Sequence, residues 1–264
     1  MSAAPVPRDP TSRVAVPAHP APGGSAAPES APGAPVPPGS ALADAVLDRL
    51  VAAYAPAADP VRAEGAAAYM RHVAPFLGIP APERRTLSRT ALAGLGRPDE
   101  RDCTAVALRC WRLPEREYQY FAADYLRRYA DRCTSGFLPV LHHLVTTVPW
   151  WDTVDMLAVH VAGPLVAADP PLARAMDRWI DDPSIWAART ALLHQLRYKE
   201  ATDADRLFGY CLRRADHPDF FIRKAIGWAL REYARTDPAA VRDFVGGAGT
   251  GLSPLSVREA LKNL

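Results

Sequence analysis

The stretch Trp150-Trp151-Asp152-Thr153-Val154-Asp155 holds residue types at a spacing that could do chemistry. Trp151 and Asp155 are i and i+4, so on a helix they stack one turn apart, bordering an apolar stripe of Val154, Leu157, Ala158 and Val161. A carboxylate held beside an indole can stabilise a cation, because its charge opposes the positive charge and the ring face carries the negative end of its quadrupole. Such a pair also arises where a tryptophan packs into the core and an aspartate sits at the surface, and the stretch alone leaves both readings open. Asp152 reads as a helix cap or a solvated charge.

Two further stretches carry the same ambiguity. In the segment from Asp219 to Ala234, Ile222, Ile226, Ala229, Leu230 and Tyr233 gather on one side at helical spacing and must face the core. Phe221, Lys224, Trp228, Arg231 and Arg235 gather on another arc. Aromatics interleaved with cations on an accessible face suit a sugar-phosphate backbone: cations neutralise phosphate and rings pack on deoxyribose or base. The plainer reading has Trp228 packed on a neighbouring helix and the cations solvated. In the segment from Ser184 to Leu196, Arg189 falls inside the apolar stripe of Ile185, Leu192, Leu193 and Leu196. An arginine there is costly without an anionic partner. That partner is either an internal Asp or Glu, or a phosphate reached across an open concave surface.

The elements that position these residues read as helices throughout. From Ala41 onward, short amphipathic stretches of roughly 10 to 16 residues are separated by Pro, Gly or Asp-Pro steps. Breaks fall near Asp59-Pro60, Gly78 to Pro82, Pro98-Asp99, Leu113-Pro114, Pro149, Asp169-Pro170, Asp182-Pro183, His217-Pro218, Asp237-Pro238 and Ser253-Pro254. No alternating strand pattern and no Asn-Gly or Asp-Gly hairpin signal occurs, so the expected sheet content is near zero. A string of short helices with tight turns forms an α-solenoid or a globular bundle. Residues 1–40 differ: they hold eleven of the 27 prolines and no aromatic residue. Such a segment buries too little apolar surface to offset its ordering entropy and reads as a disordered tail ahead of one domain spanning residues 41–264.

Composition excludes several classes. The net charge of the 264 residues is only +2, so a nucleic-acid partner must be argued from where charge sits. From Arg189 to Arg231 there are nine Lys and Arg against five Asp and Glu, a local net of +4 with the sign of a DNA-facing half. No apolar run approaches the ~20 residues of a membrane span, and Pro-rich sequence stands where a secretory signal would be apolar. Cys103, Cys110, Cys133 and Cys211 have no zinc-like spacing and read as buried, reduced thiols. The histidines include no helical pair of metal-ligating spacing; His142, His143, His160 and His194 read as surface or satisfied core residues. No cofactor or metal is expected. No Gly-rich hairpin followed by a Lys and Asp pair marks a helix-hairpin-helix glycosylase.

The stretches AAAYMRHVAPFLGIPAPERRTL (Ala66 to Leu87), EREYQYFAADYL (Glu115 to Leu126), WWDTVD (Trp150 to Asp155), SIWAARTALL (Ser184 to Leu193) and FFIRKAIGWALREYA (Phe220 to Ala234) together resemble the AlkD family of alkylpurine DNA glycosylases. The resemblance covers essentially all of residues 41–264. It implies HEAT-like helical repeats forming an α-solenoid with a concave DNA-binding surface. It also implies Asp155 as catalytic aspartate, Trp151 and Trp228 as catalytic tryptophans, and Arg189 as a DNA-contacting arginine. Tyr69 corresponds to a tyrosine near the lesion, and Arg231 to a phosphate-side arginine beside Lys224 on the basic arc.

The activity so implied is hydrolysis of the N-glycosidic bond of cationic N3- or N7-alkylated purines in double-stranded DNA, without base flipping and with tolerance of bulky adducts. A monomer in the cytoplasm, associated with the nucleoid, is expected. Self-protection of a cell that makes DNA-alkylating metabolites fits that substrate class. The alternative is a non-catalytic HEAT-repeat scaffold binding DNA or protein, which the same helices would serve but which gives no reason for Asp155 beside Trp151.

Overall fold

Proline steps and short polar caps set where each helix begins. Asp59 caps α2 (Pro60–Tyr69), and Asp237 and Ser253 cap α13 (Pro238–Gly246) and α14 (Pro254–Ala260), each with proline in the first turn, where a missing N–H costs nothing. Ser40 caps α1 (Ala41–Tyr54), and Asp99 closes a reciprocal capping box with Asp102 on α4 (Glu100–Arg112). Asp203 caps α11 (Ala204–Arg213), and Asp219 caps α12 (Phe220–Tyr233). The remaining helices are α3 (Ala81–Leu92), α5 (Arg116–Arg128), α6 (Leu138–Thr146), α7 (Trp151–Leu157), α8 (Gly163–Ala168), α9 (Ala173–Trp179) and α10 (Ile185–Leu193).

This computed structural model describes residues 35–247 and 249–264, and among them there is no strand. The expected disordered tail lies outside the described residues as far as residue 34. The helices stack in chain order: α1 on α3 and α4, α4 on α5 and α6, α5 on α7, α10 on α6, α7 and α12, and α12 on α14. The result is an all-α solenoid with one continuous core, into which Tyr54, Phe121, Phe137, Leu157, Ile180 and Ile226 are buried. All four cysteines are buried and free.

One turn of π-helix, Ala158–Ala162, joins α7 to α8. The Gly163 N–H reaches back to the Ala158 carbonyl, and Pro164 has no N–H with which to restore the α register. Gly163 packs so closely on α10 that an added Cβ would lie 2.5 Å from the His194 carbonyl oxygen. The Tyr198 hydroxyl donates to the Gly163 carbonyl at 2.7 Å and pins the chain beyond α10 to the same place.

The start of α7 is fixed by a buried arginine. Arg116, fully buried on α5, donates from Nε and Nη2 to the two Asp152 oxygens at 3.2 and 2.5 Å, and from Nη2 to Thr153 Oγ1 at 2.9 Å. Its Nη1 donates to Gln119 and to the Val148 carbonyl at 2.7 Å, and the Tyr120 hydroxyl donates to Asp152 at 2.6 Å. Asp152 is therefore not a solvated charge: its Oδ1 accepts from the Thr153 N–H in the first turn of α7 at 2.9 Å, and with 7 % of its side chain exposed it is the acceptor around which the α5–α7 contact is built. Val148 sits at φ 46, a conformation costly for a β-branched residue by about 1–3 kcal/mol. The bond from Arg116 to its carbonyl helps hold that turn. Beside it, Glu117 accepts from the N–H groups of Leu77, Gly78 and Ile79, fixing the loop that leads into α3.

Two measurable consequences follow from these buried groups. Arg116→Met should lower unfolding free energy in urea by about 3–5 kcal/mol, since it strands the Asp152 charge, and pairing it with Asp152→Leu should recover part of that loss. A change under about 1 kcal/mol for the single variant would mean that the network does not hold α7. Burial presses the His194 imidazole down to about 4, although its Nδ1–H donates to the Ala191 carbonyl. The unfolded chain takes up this proton first, so stability should fall as pH drops through the window between about 6.5 and 4, by at most about 3 kcal/mol from this group. His194→Gln should flatten that part of the stability–pH curve, and an unchanged slope would contradict it.

Candidate active site

Asp155 sits on the fourth turn-forming position of α7 after Trp151, and α10 supplies its partner. Arg189 donates from Nε to one carboxylate oxygen at 2.7 Å and from Nη2 to the other at 2.8 Å. Its remaining Nη1 donates to the Phe221 carbonyl of α12 at 2.5 Å. Between the two partners left open by sequence, the arginine in the α10 stripe thus has the internal carboxylate, and that carboxylate is Asp155. The arginine side chain is 6 % exposed and the aspartate 16 %, so Asp155 shows an edge to solvent while Arg189 lies behind it. One planar guanidinium thereby ties α7, α10 and α12 together with charge-assisted bonds.

Trp151, Asp155 and Trp228 line one open groove of about 620 Å³. Both tryptophans are half-buried and pack their inner edges against the core. Met156, Val159 and Leu196 give the groove an apolar floor, while His160, Arg197, Lys199 and Glu232 stand at its margins. Trp150, the neighbour of Trp151, points the other way. It is buried against Trp186 and Phe221, with ring centroids 5.7 and 5.0 Å away. Phe221 itself is 5 % exposed, which corrects its placement on the accessible arc of α12: the first turn of that helix is covered by Trp186 of α10 and by Trp150, just ahead of α7, and so on more sides than the periodicity implies.

The rest of that arc is accessible but not free. Lys224 and Arg231 both bind Glu259 of α14, at 3.0 and 2.7 Å. Burial works to raise the Glu259 carboxyl, yet the two cations outweigh it and hold the group below its usual range. Arg235 is exposed and pairs with Glu232. Gly227 lets α14 approach: a Cβ there would lie 2.4 Å from the Glu259 Cβ.

Tyr69 is not brought to this groove. It is 61 % exposed at the mouth of a separate hollow of about 310 Å³, shared with Arg62, Arg84 and Tyr120. The Tyr120–Asp152 hydrogen bond forms part of the wall between the two spaces, since Tyr120 lines one and Asp152 the other. Sequence reasoning passed over Arg116, Tyr120, His160, Arg197 and Glu259 as parts of the site. Arg116 and Tyr120 lay inside a stretch already singled out, but nothing in helical periodicity marks a first-turn arginine as buried. Among the described residues no group of His, Cys, Asp or Glu is placed to hold a metal ion, and no helix is long and apolar enough to cross a membrane.

The arrangement offers a partly exposed carboxylate, held on both oxygens by Arg189, in one open groove with two indoles. It can stabilise positive charge and orient a water, and its openness admits a large partner. A comparison with curated protein sequences finds no match. Among solved structures, the chain is similar to one described as a predicted DNA alkylation repair enzyme from Enterococcus faecalis, with 33 % identity, a TM-score of 0.72, and coverage of 78 % of this chain and 96 % of that one. The family model described as DNA alkylation repair enzyme matches residues 50–264, the span that builds α7, α10 and α12 and the groove between them. The chain therefore belongs to the DNA alkylation repair enzyme family.

Proposed function

We propose that this chain is a monofunctional DNA glycosylase of the AlkD type, with HEAT-like repeats, which releases cationic N3- or N7-alkylated purines from double-stranded DNA. The observation that carries this reading is Asp155, held by both oxygens on Arg189 and flanked by Trp151 and Trp228 on one open groove. A purine alkylated at N3 or N7 already bears positive charge, so its glycosidic bond is weakened before the enzyme acts. The base leaves neutral, taking the bonding electron pair, and oxocarbenium character develops on the deoxyribose. Asp155 opposes that charge, orients the water that attacks C1′, and takes up the proton that the water loses, passing it on to solvent. Trp151 and Trp228 present ring faces to the sugar cation. No acid is needed to protonate the leaving group and no lysine to form a covalent adduct, so the product is an abasic site with the strand intact.

Arg189 fits two tasks in this scheme. In the free protein it fixes the carboxylate, and with all three nitrogens donating and 6 % of its side chain exposed it can meet a phosphate only by giving up part of that pairing, which would leave more of the Asp155 charge to the sugar. Lys224 and Arg231 can meet phosphate only by sharing or leaving Glu259, and Tyr69, in its separate hollow, contacts the duplex at a distance from the chemistry. The open groove suits a duplex held by its backbone with the lesion unflipped, and admits bulky adducts. The protein acts as a monomer in this reading.

Two assays test it. Incubation with a duplex containing N7-methylguanine should release free base and leave the strand uncut until alkali is added; DNA binding without release would favour a non-catalytic scaffold. Asp155→Asn should lower the single-turnover excision rate by about 10²–10³-fold, while duplex affinity is kept or improved, because a negative charge near phosphates is gone and Arg189 is freed. Wild-type excision in a folded Asp155→Asn variant would remove Asp155 from the chemistry.

A further inference from the structure

The groove that holds Asp155 continues past Val159, His160 and Arg197 into a second open hollow of about 510 Å³. Arg127 enters it from the last turn of α5, His160 from the π turn, and Arg197 and Tyr198 from the turn after α10. Arg127 and Arg197 are exposed and have no ion-pair or hydrogen-bond partner among the described residues. This sets them apart from Arg116, Arg189 and Arg231, each committed to a carboxylate. The place is also built rather than incidental. Tyr198 is tied to the Gly163 carbonyl, and Gly163 has no space for a side chain, so the turn carrying Arg197 is fixed against the helix that follows His160.

We propose that Arg127, His160 and Arg197 form a cradle for a backbone phosphate of duplex DNA beside the lesion groove, with phosphate binding there coupled to proton uptake by His160. The proposal rests on the duplex substrate argued above and names a contact outside the residues that act on the sugar. Two guanidiniums converging on one space match the oxygens of a phosphodiester, and a protonated imidazole adds a third donor. In the free protein His160 is held below its usual range, first by partial burial and then by Arg197 and Arg127. Asp124 of α5 pulls the other way but is itself paired with Arg84 at 3.5 Å. Asp155, Glu232 and Lys199 face the same groove, and His194, behind the π turn, stays neutral because burial holds it down at about 4. A phosphate neutralises both arginines and adds negative charge, so it raises the affinity of His160 for a proton. Binding thus takes up a proton, and duplex affinity rises as pH falls between the value of His160 in the complex and its lower value in the free protein.

The test uses the full chain and a labelled undamaged duplex, with affinity read by fluorescence anisotropy across salt and at about pH 6 and pH 8. Wild-type affinity should rise by roughly tenfold from the higher to the lower pH. Arg127→Gln with Arg197→Gln should reduce the slope of log affinity against log salt by about two and weaken binding on the order of tenfold at about 0.1 M salt. His160→Gln should abolish the pH dependence. Arg128→Gln removes the same charge one residue along α5, from a side chain that stacks on Tyr129, and should keep the wild-type slope and pH profile. A wild-type salt slope in the double variant, an equal fall in Arg128→Gln, a retained pH dependence in His160→Gln, or no duplex binding by the wild type would each overturn the cradle. Base release plays no part in this readout, so failure to excise N7-methylguanine would sink the glycosylase reading and leave the cradle result standing.

Discussion

The bidentate pair between Arg189 and Asp155 is the constraint on which the rest of the groove depends. An arginine within an apolar helix stripe needs a fixed anion, and a carboxylate with only an edge in solvent needs a fixed cation; each satisfies the other at 2.7 and 2.8 Å. The third direction of the guanidinium goes to the Phe221 carbonyl, so the helices that bear Trp151, Asp155 and Trp228 share one planar group. A carboxylate gripped on both oxygens cannot rotate away from a developing charge, and the cost of orienting it is met on folding rather than during a reaction. That grip also sets how much negative charge the groove feels, because Arg189 shares it.

The same logic explains why so short a helix as α7 stays in place. Seven residues are too few to hold a helix by propensity alone. Its first turn is anchored to α5 by Asp152 and Arg116, and its second to α10 by Asp155 and Arg189. The two acids are three residues apart and bind different helices, so α7 is held by two buried cations. Beyond it the π turn carries Val159 and His160 to the groove wall, where a strictly α-helical register is interrupted by Pro164. Polar satisfaction is nearly complete: among buried side-chain nitrogen and oxygen atoms of the described residues, only Arg132 Nε lacks a hydrogen-bond partner, and it lies 3.7 Å from the Asp131 carboxylate.

Helix boundaries were legible because Asp-Pro and Ser-Pro steps act locally. Pro60, Pro238 and Pro254 open helices where their caps stand, and Ser40 caps a helix that starts at Ala41. The pairing of Trp151 with Asp155 was legible for the same reason, being a matter of spacing on one helix. Arg189 could be flagged as needing an anion, since the stripe around it is apolar, but not which anion, because Asp155 lies 34 residues away. Phe221 was misplaced because periodicity assumes one covered face, whereas the first turn of α12 is enclosed by Trp150 and Trp186 as well. Asp152 reads as a cap or a solvated charge because its partner, Arg116, sits 36 residues earlier with nothing in its own neighbourhood to mark it as buried. Glu259 was silent altogether: its role depends on α14 lying across Gly227.

A net charge of +2 looks too small for a protein that grips DNA, and the pairing pattern resolves the mismatch. Much of the basic side-chain content is spent on internal carboxylates: Arg116 on Asp152, Arg189 on Asp155, Lys224 and Arg231 on Glu259, and Arg206 on Asp177 and Asp203. Those cations stiffen the solenoid and add little field at long range. Arg127, Arg197 and Lys199, unpaired among the described residues, border the groove or its extension. Field at a surface follows unneutralised charge near it, screened beyond about 8–10 Å at physiological salt, and not the sum over the chain. A nearly neutral protein can therefore present a cationic margin to DNA, provided its acids are placed where arginines already hold the fold together.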